Sequence, residues 1–256
     1  TEKMAQLIKL HNYASRYEVD IYRYAVRYFE LKRRRYEDFK KRYAHARSAD
    51  EWKTRFFETW MKKQLVWASS TPERKSRMAE DYRSNPWLRV LLEKLDDTVF
   101  ILFDPVFLVD DVMIHGDIVL VTPLSIQCVK VIAGEKDSVF QNHDRRRWKE
   151  ITSDGLRLVD NPIPSLLRTK KIVARILEEM DREDEVEACL LAPESYLEIA
   201  PLLGIQTVDR TGMKRWLDEM RHYRMPVKHA QLQAAEALLK HTQTEALPRE
   251  EAAFDV

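Results

Sequence analysis

Glycine and cysteine are scarce in this chain. Five glycines among 256 residues leave no Gly-rich loop able to cradle phosphates, which argues against a nucleotide-binding fold of that type. The two cysteines, Cys128 and Cys189, stand alone in apolar, strand-like stretches. Without a C-x-x-C pair or a Cys/His cluster, a structural zinc site is not expected. Reduced buried thiols in a cytoplasmic protein are. No run approaches the roughly 18 uncharged apolar residues that a membrane-spanning helix needs, so no membrane partner is expected. The N-terminus also lacks the apolar core and small-residue cleavage site of a secretory signal. Met4 reads as a natural start.

What is present is charge, unevenly spread. The formal net charge is +1, yet residues 1–83 carry 21 Lys+Arg against 12 Asp+Glu, and residues 84–256 carry 22 against 30. A basic first third joined to an acidic remainder points to two modules with different partners, or to one neutralising the other. Hydrophobic residues make up 45% of the chain, enough for one sizeable core or two smaller ones.

Residues 1–83 read as a basic, aromatic-rich module, an α-helical hairpin or bundle. Ser15-x-x-Glu18 has the form of a capping box, and Ser48-x-x-Glu51 repeats it. Between them a helix is predicted over about 16–46. Leu10, Ala14, Tyr17, Ile21, Tyr24, Tyr28 and Leu31 step by four and three, as in a coiled-coil seam. The seam resumes, offset, at Tyr36, Phe39 and Tyr43. A second helix over 50–69 carries Trp52, Phe56, Phe57, Trp60, Leu65 and Trp67, and Thr71-Pro72 is expected to open a third.

Residues 84–222 alternate helix and strand. A helix is predicted over 86–95 after Asn85-Pro86, then strands at 98–103, 114–122 and 124–132. A polar stretch, Gly134–Asp144, follows. A helix from Asn161-Pro162 to about 180, strands at 186–191 and 205–208, and a helix over 212–222 complete an α/β layer arrangement. Residues 223–242 read as a C-terminal helix and 243–256 as a flexible tail.

Gly116-Asp117-Ile118-Val119-Leu120-Val121-Thr122-Pro123 and Ser125-Ile126-Gln127-Cys128-Val129-Lys130-Val131-Ile132 read as two strands joined by a tight turn. The first opens on an Asp and the second ends on x-Val-Lys. A helix and a strand precede them, Trp148 follows a polar gap, and Asn161-Pro162 opens a long helix. In this order and spacing the segment 86–220 resembles the NERD (nuclease-related) domain. That family is related to the restriction-endonuclease-like PD-(D/E)xK fold.

The resemblance implies a central mixed sheet flanked by helices. It also implies a metal site built from Asp117, a carboxylate at the position of Cys128, and Lys130. Such a site uses Mg²⁺ to activate water and stabilise the charged phosphorus centre, and Mg²⁺ prefers hard oxygen ligands. The soft sulfur of Cys128 is a poor substitute. Gln127 faces the other way in an alternating strand, Glu135 lies beyond the strand end, and Asp110 and Asp111 only precede the motif.

What is implied is a nuclease-related protein that binds or acts on nucleic acid, with cleavage lost through Cys128. Were hydrolysis retained, Asp117 would hold Mg²⁺ and Lys130 would stabilise charge. Read from the residues alone, Asp117 is either a ligand or the cap of the turn after Gly116. Lys130 either reaches water or pairs with Asp117, and Cys128 is a buried inert thiol.

Two basic clusters are candidates for contact with DNA or RNA phosphates: Lys32, Arg33, Arg34 and Arg35 with Lys40 and Lys41 on the long helix, and Arg145, Arg146 and Arg147. On the helix the alternative is a solvated face. The aromatic helices support a competing expectation, a non-enzymatic scaffold that binds a protein partner or a second copy of itself.

Overall fold

The computed structural model describes residues 3–45, 49–223 and 225–252. The chain opens with β1 (Gln6–Leu10), then α1 (Arg16–Val19), α2 (Ile21–Arg42) and α3 (Ala49–Trp67). A two-residue strand, β2 (Arg74–Lys75), leads to α4 (Pro86–Lys94) and β3 (Phe100–Phe103). The hairpin β4 (Val106–Val109) and β5 (Val112–His115) precedes β6 (Ile118–Val121) and β7 (Ile126–Val131). Three short strands follow: β8 (Val139–Asn142), β9 (Arg147–Thr152) and β10 (Gly155–Asp160). After α5 (Ile163–Glu178) come β11 (Val186–Leu191), β12 (Tyr196–Glu198) and β13 (Ile205–Val208). Last are α6 (Met213–Arg221), α7 (His229–Lys240), β14 (Leu247–Pro248) and α8 (Arg249–Ala252).

Six strands form the central sheet in the order β1-β3-β6-β7-β11-β13. β1 runs parallel to β3, β6 is antiparallel to both its neighbours, and β7, β11 and β13 are parallel. β3 and β6 are apolar at every position and fully buried, as expected of strands covered on both faces. α5 packs on β7 and β11, α7 on β6, and α3 on β1. A second sheet, β10-β9-β8-β12, holds the buried Trp148. The class is α/β.

The first third departs from the helical expectation at its start. Gln6–Leu10 is a strand at the edge of the central sheet, so the sheet crosses the boundary drawn at 83/84, and residues on both sides share one core. Helix side chains satisfy the exposed backbone of this edge. Gln64 accepts from the Leu7 amide (2.9 Å) and donates to the Ala5 carbonyl (3.0 Å). Tyr28 donates to the Met4 carbonyl (2.6 Å) and Ser15 to that of Ile8 (2.6 Å). An edge whose polar groups are paired in this way offers no template for another strand.

Several boundaries move. The predicted helix over 16–46 breaks at Asp20, whose carboxylate caps α2 by accepting from the Arg23 amide (3.0 Å). Ser15 caps α1, but Glu18 leaves the box to pair with Lys9. Ser48 lies outside the described residues. Thr71-Pro72 opens a turn into β2 rather than a helix. The strand predicted over 114–122 divides into β5 and β6, and the stretch Gly134–Asp144 contains β8. The tail is anchored through residue 249: β14 pairs with β2, and the Gln243 amide donates to the Val106 carbonyl (2.7 Å).

Candidate functional site

The register of β6 and β7 sets Val119 opposite Cys128 and Ile118 opposite Val129. One step further, Asp117 comes level with Lys130. Alternation puts Asp117, Val119, Cys128 and Lys130 on one face, beneath α5. There Lys130 Nζ donates to Asp117 Oδ1 (3.0 Å) and Ser165 Oγ to Asp117 Oδ2 (2.8 Å). Thr169 Oγ1 lies 3.3 Å from Oδ2 and accepts from the Asp117 amide (2.9 Å). Ser165 and Thr169, spaced i and i+4 on α5, form one ridge over the carboxylate. Neither was singled out in the sequence, where a Ser/Thr pair at helical spacing carries little signal.

Both oxygens of Asp117 are thus occupied. Cys128 is fully buried, and burial first, then the charge of Asp117, push its thiol far above the usual range. It stays protonated and unreactive. Among the described residues, no group of three or more His, Cys, Asp or Glu is placed to hold a metal ion. An ammonium on Oδ1, hydroxyls on Oδ2 and a buried thiol in place of a carboxylate do not fit Mg²⁺.

Four further polar groups gather at the same end of the sheet. Asp104 follows β3 with a left-handed backbone (φ 49°), and His11 follows β1 with φ 47°. Tyr82 Oη donates to Asp104 Oδ2 (3.4 Å), and the His11 ring stacks on that of His115 with centroids 6.3 Å apart. Burial raises the Asp104 carboxyl above its ordinary range; Tyr82 and His11 oppose this, and Asp117 adds to it. Asp104-Pro105 directly after an apolar strand was a usable sign of a strand-end residue. His11 was hidden because no strand was expected in the helical module of residues 1–83.

The structure separates the basic clusters. Lys32 is buried; its Nζ pairs with Asp97 (2.8 Å) and lies 5.6 Å from the Tyr28 ring centroid, which corrects its assignment as a phosphate contact. Arg33, Arg34 and Arg35 are exposed and fan around α2 at about 100° per residue. Lys40 and Lys41 are exposed at the far end of α2. Arg145, Arg146 and Arg147 form the β8–β9 turn, where Asn161 donates to the carbonyls of Arg145 (3.2 Å) and Arg146 (2.9 Å). The first cluster runs past Asp97, ahead of β3. The second is tied to the start of α5, near Asp117, at the opposite end of the sheet.

Lys32→Met is accordingly expected to cost about 1–3 kcal/mol by stranding Asp97, while leaving nucleic-acid affinity unchanged. Urea unfolding and a binding titration on the same variant check both halves.

No family model matches this chain, and no solved structure matches it. A stretch of 59 residues, 23% of the chain, is 42% identical to part of an RNA 2',3'-cyclic phosphodiesterase of Geobacillus stearothermophilus. The match spans 19% of that protein. Such a likeness is local and assigns no family. Fold and site together define an α/β protein with a neutralised Asp–Lys pair at one end of its central sheet.

Proposed function

We propose that this is a nuclease-related protein that binds nucleic acid and has lost phosphodiester cleavage. One observation carries the reading: Asp117, Cys128 and Lys130 share one face at one sheet end, in the register a PD-(D/E)xK site requires. The order α4-β3-β6-β7-α5-β11, with β6 antiparallel to β3 and β7 and a parallel return to β11, supports a restriction-endonuclease-like core of the NERD type. The local likeness to a protein named as an RNA phosphodiesterase favours RNA as the first ligand to test. Loss of cleavage follows from ligand chemistry, because the acid at 128 is absent and Asp117 is held by Lys130. The competing scaffold reading draws less support, since Tyr28, Phe56, Trp60 and Trp67 are spent inside the core.

The test pairs binding with cleavage. Labelled RNA and DNA, single-stranded and duplex, are titrated at about 50 mM salt, where backbone contacts are strong, then incubated with Mg²⁺ or Mn²⁺. Binding without cleavage is expected. Cys128→Glu, with Cys128→Asp as the smaller alternative at this buried position, is expected to gain metal-dependent cleavage. Cleavage by the wild type that Asp117→Ala abolishes would overturn the claim of lost activity.

A further inference from the structure

The edge helices carry a cationic surface that shares Arg35 with the first cluster and draws its other members from α1, α2 and α3. Arg16 of α1 and Lys63 of α3 lie against the same indole. The Arg16 guanidinium carbon is 5.8 Å and Lys63 Nζ 5.9 Å from the Trp67 ring centroid. Lys63 lies within electrostatic reach of Arg35, Arg16 and Arg27, and Arg16 within reach of Arg27 and Arg249. None of Arg16, Arg27, Arg35 and Lys63 forms an ion pair among the described residues. Trp67 Nε1 and Arg16 Nε are buried donors without a hydrogen-bond partner. Beside Lys63, Arg35, Lys62, Thr59 and Trp60 line a cavity of about 230 Å³ that also touches the exposed Val66.

Four neighbouring cations, none in an ion pair among the described residues, repel one another. Burial first, and then the charges of Arg35, Arg16 and Arg27, lower the pKa of Lys63. The Trp67 ring offsets part of the cost through its negative face. An anion laid across the four would remove the rest.

Arg27 and Arg35 stand eight residues apart on α2, about 12 Å along its axis, and Lys63 lies within electrostatic reach of both and of Arg16. Charges spread over that length exceed what a lone phosphate group can bridge and suit successive phosphates of one strand.

We infer that Arg16, Arg27, Arg35 and Lys63, backed by Trp67, form a binding surface for the phosphodiester backbone of a nucleic-acid strand. The inference rests on the nucleic-acid reading proposed above and deepens it, placing the contact on α1, α2 and α3 rather than at the Asp117–Lys130 end of the sheet.

The experiment compares the full chain, wild type and Arg27→Gln/Arg35→Gln/Lys63→Gln, by fluorescence anisotropy with a labelled 20-nucleotide single-stranded RNA and its DNA counterpart. Lys214→Gln/Arg215→Gln, exposed on α6, is the control. At about 50 mM salt the triple variant is expected to bind at least tenfold more weakly. The slope of log K against log salt should fall by about 2–3, close to one unit for each lost phosphate contact. The control should bind like wild type.

Removing mutually repelling charges should leave the melting temperature unchanged or higher, which excludes misfolding as the cause. Wild-type binding that the triple variant retains would overturn this surface while sparing the wider nucleic-acid reading. Absence of wild-type binding to either strand would overturn both. Preferential binding of phosphatidylserine vesicles over the oligonucleotides, lost in the triple variant, would reassign the surface to an anionic membrane and also overturn the inference.

Discussion

Glu18→Ala is expected to lower the stability of the protein by about 3–5 kcal/mol, the usual loss when one partner of a buried ion pair is removed. Lys9 lies in the middle of β1 with its side chain fully buried, and Glu18 of α1 is its counter-ion. Thr244 closes the group, accepting from Lys9 Nζ (2.9 Å) and donating to Glu18 Oε2 (2.8 Å). Strand, first helix and C-terminal segment therefore meet at one buried charge. Without Glu18 the ammonium keeps only a hydroxyl.

Burial already lowers the pKa of Lys9, with Glu18 opposing the shift, so the variant's Lys9 must titrate lower still. A lysine whose folded pKa is depressed binds fewer protons folded than unfolded in the window between the two values. Stability then rises with pH as the solution passes upward through the folded pKa. Urea unfolding at stepped pH should show the deficit largest near neutrality and shrinking on the alkaline side. Lys9→Met/Glu18→Met, which removes both charges, should recover most of the loss. A single variant within 1 kcal/mol of wild type would show that the pair does not anchor β1.

β1 also shows where the sequence was legible and where it was not. Of the strands around the site, β3 and β6 are unbroken apolar runs, and β7 and β11 are apolar but for Gln127, Lys130 and Glu187; such runs announce themselves locally. Asp117 and Lys130 were likewise visible, because their register follows from one tight turn at Thr122. β1 was not. Its five residues include Gln6 and Lys9, both buried, and both owe their burial to distant partners. Gln6 accepts from Tyr17 Oη (3.2 Å), and Lys9 meets Thr244 from the other end of the chain. A polar residue compensated from 235 positions away looks from sequence like a surface residue. The same holds for Lys32, which read as one of a basic run until Asp97 claimed it. Ser165 and Thr169 acquire meaning only once α5 is brought over Asp117. Long-range compensation is what local pattern cannot supply.

Gly134→Ala is the second change of large expected effect, and it acts on the strand that carries Lys130. Beyond β7 the chain passes Gly134 before entering the second sheet at β8. A methyl group there would stand 2.3 Å from Ser195 Oγ, 2.8 Å from Glu150 Oε2 and 2.8 Å from Phe140 Cε2. All three neighbours are buried, so none can swing into solvent. They also form a closed polar network. Glu150 Oε2 accepts from Ser138 Oγ (2.8 Å) and the Glu135 amide (2.9 Å), Oε1 pairs with Arg157, and the two serine hydroxyls are 2.7 Å apart.

Burial alone would raise the Glu150 pKa. The bonds from Ser138, the Glu135 amide and Arg157 outweigh it, and the net shift is downward. The extra carbon must push at least one of these groups away. Overpacking costs about 1–3 kcal/mol, and each stranded buried polar group costs about 1–3 more, so a loss of several kcal/mol is expected. Adding Ser195→Ala removes the worst contact and should restore part of the stability in a double-mutant cycle. Because the network fixes the exit of β7, Gly134→Ala should also loosen the Lys130–Asp117 pair, seen as faster amide exchange at Asp117, whose N–H is otherwise held by Thr169. A variant as stable as wild type with unchanged exchange would mean that Gly134 can move aside, and that the second sheet does not set the geometry of the site.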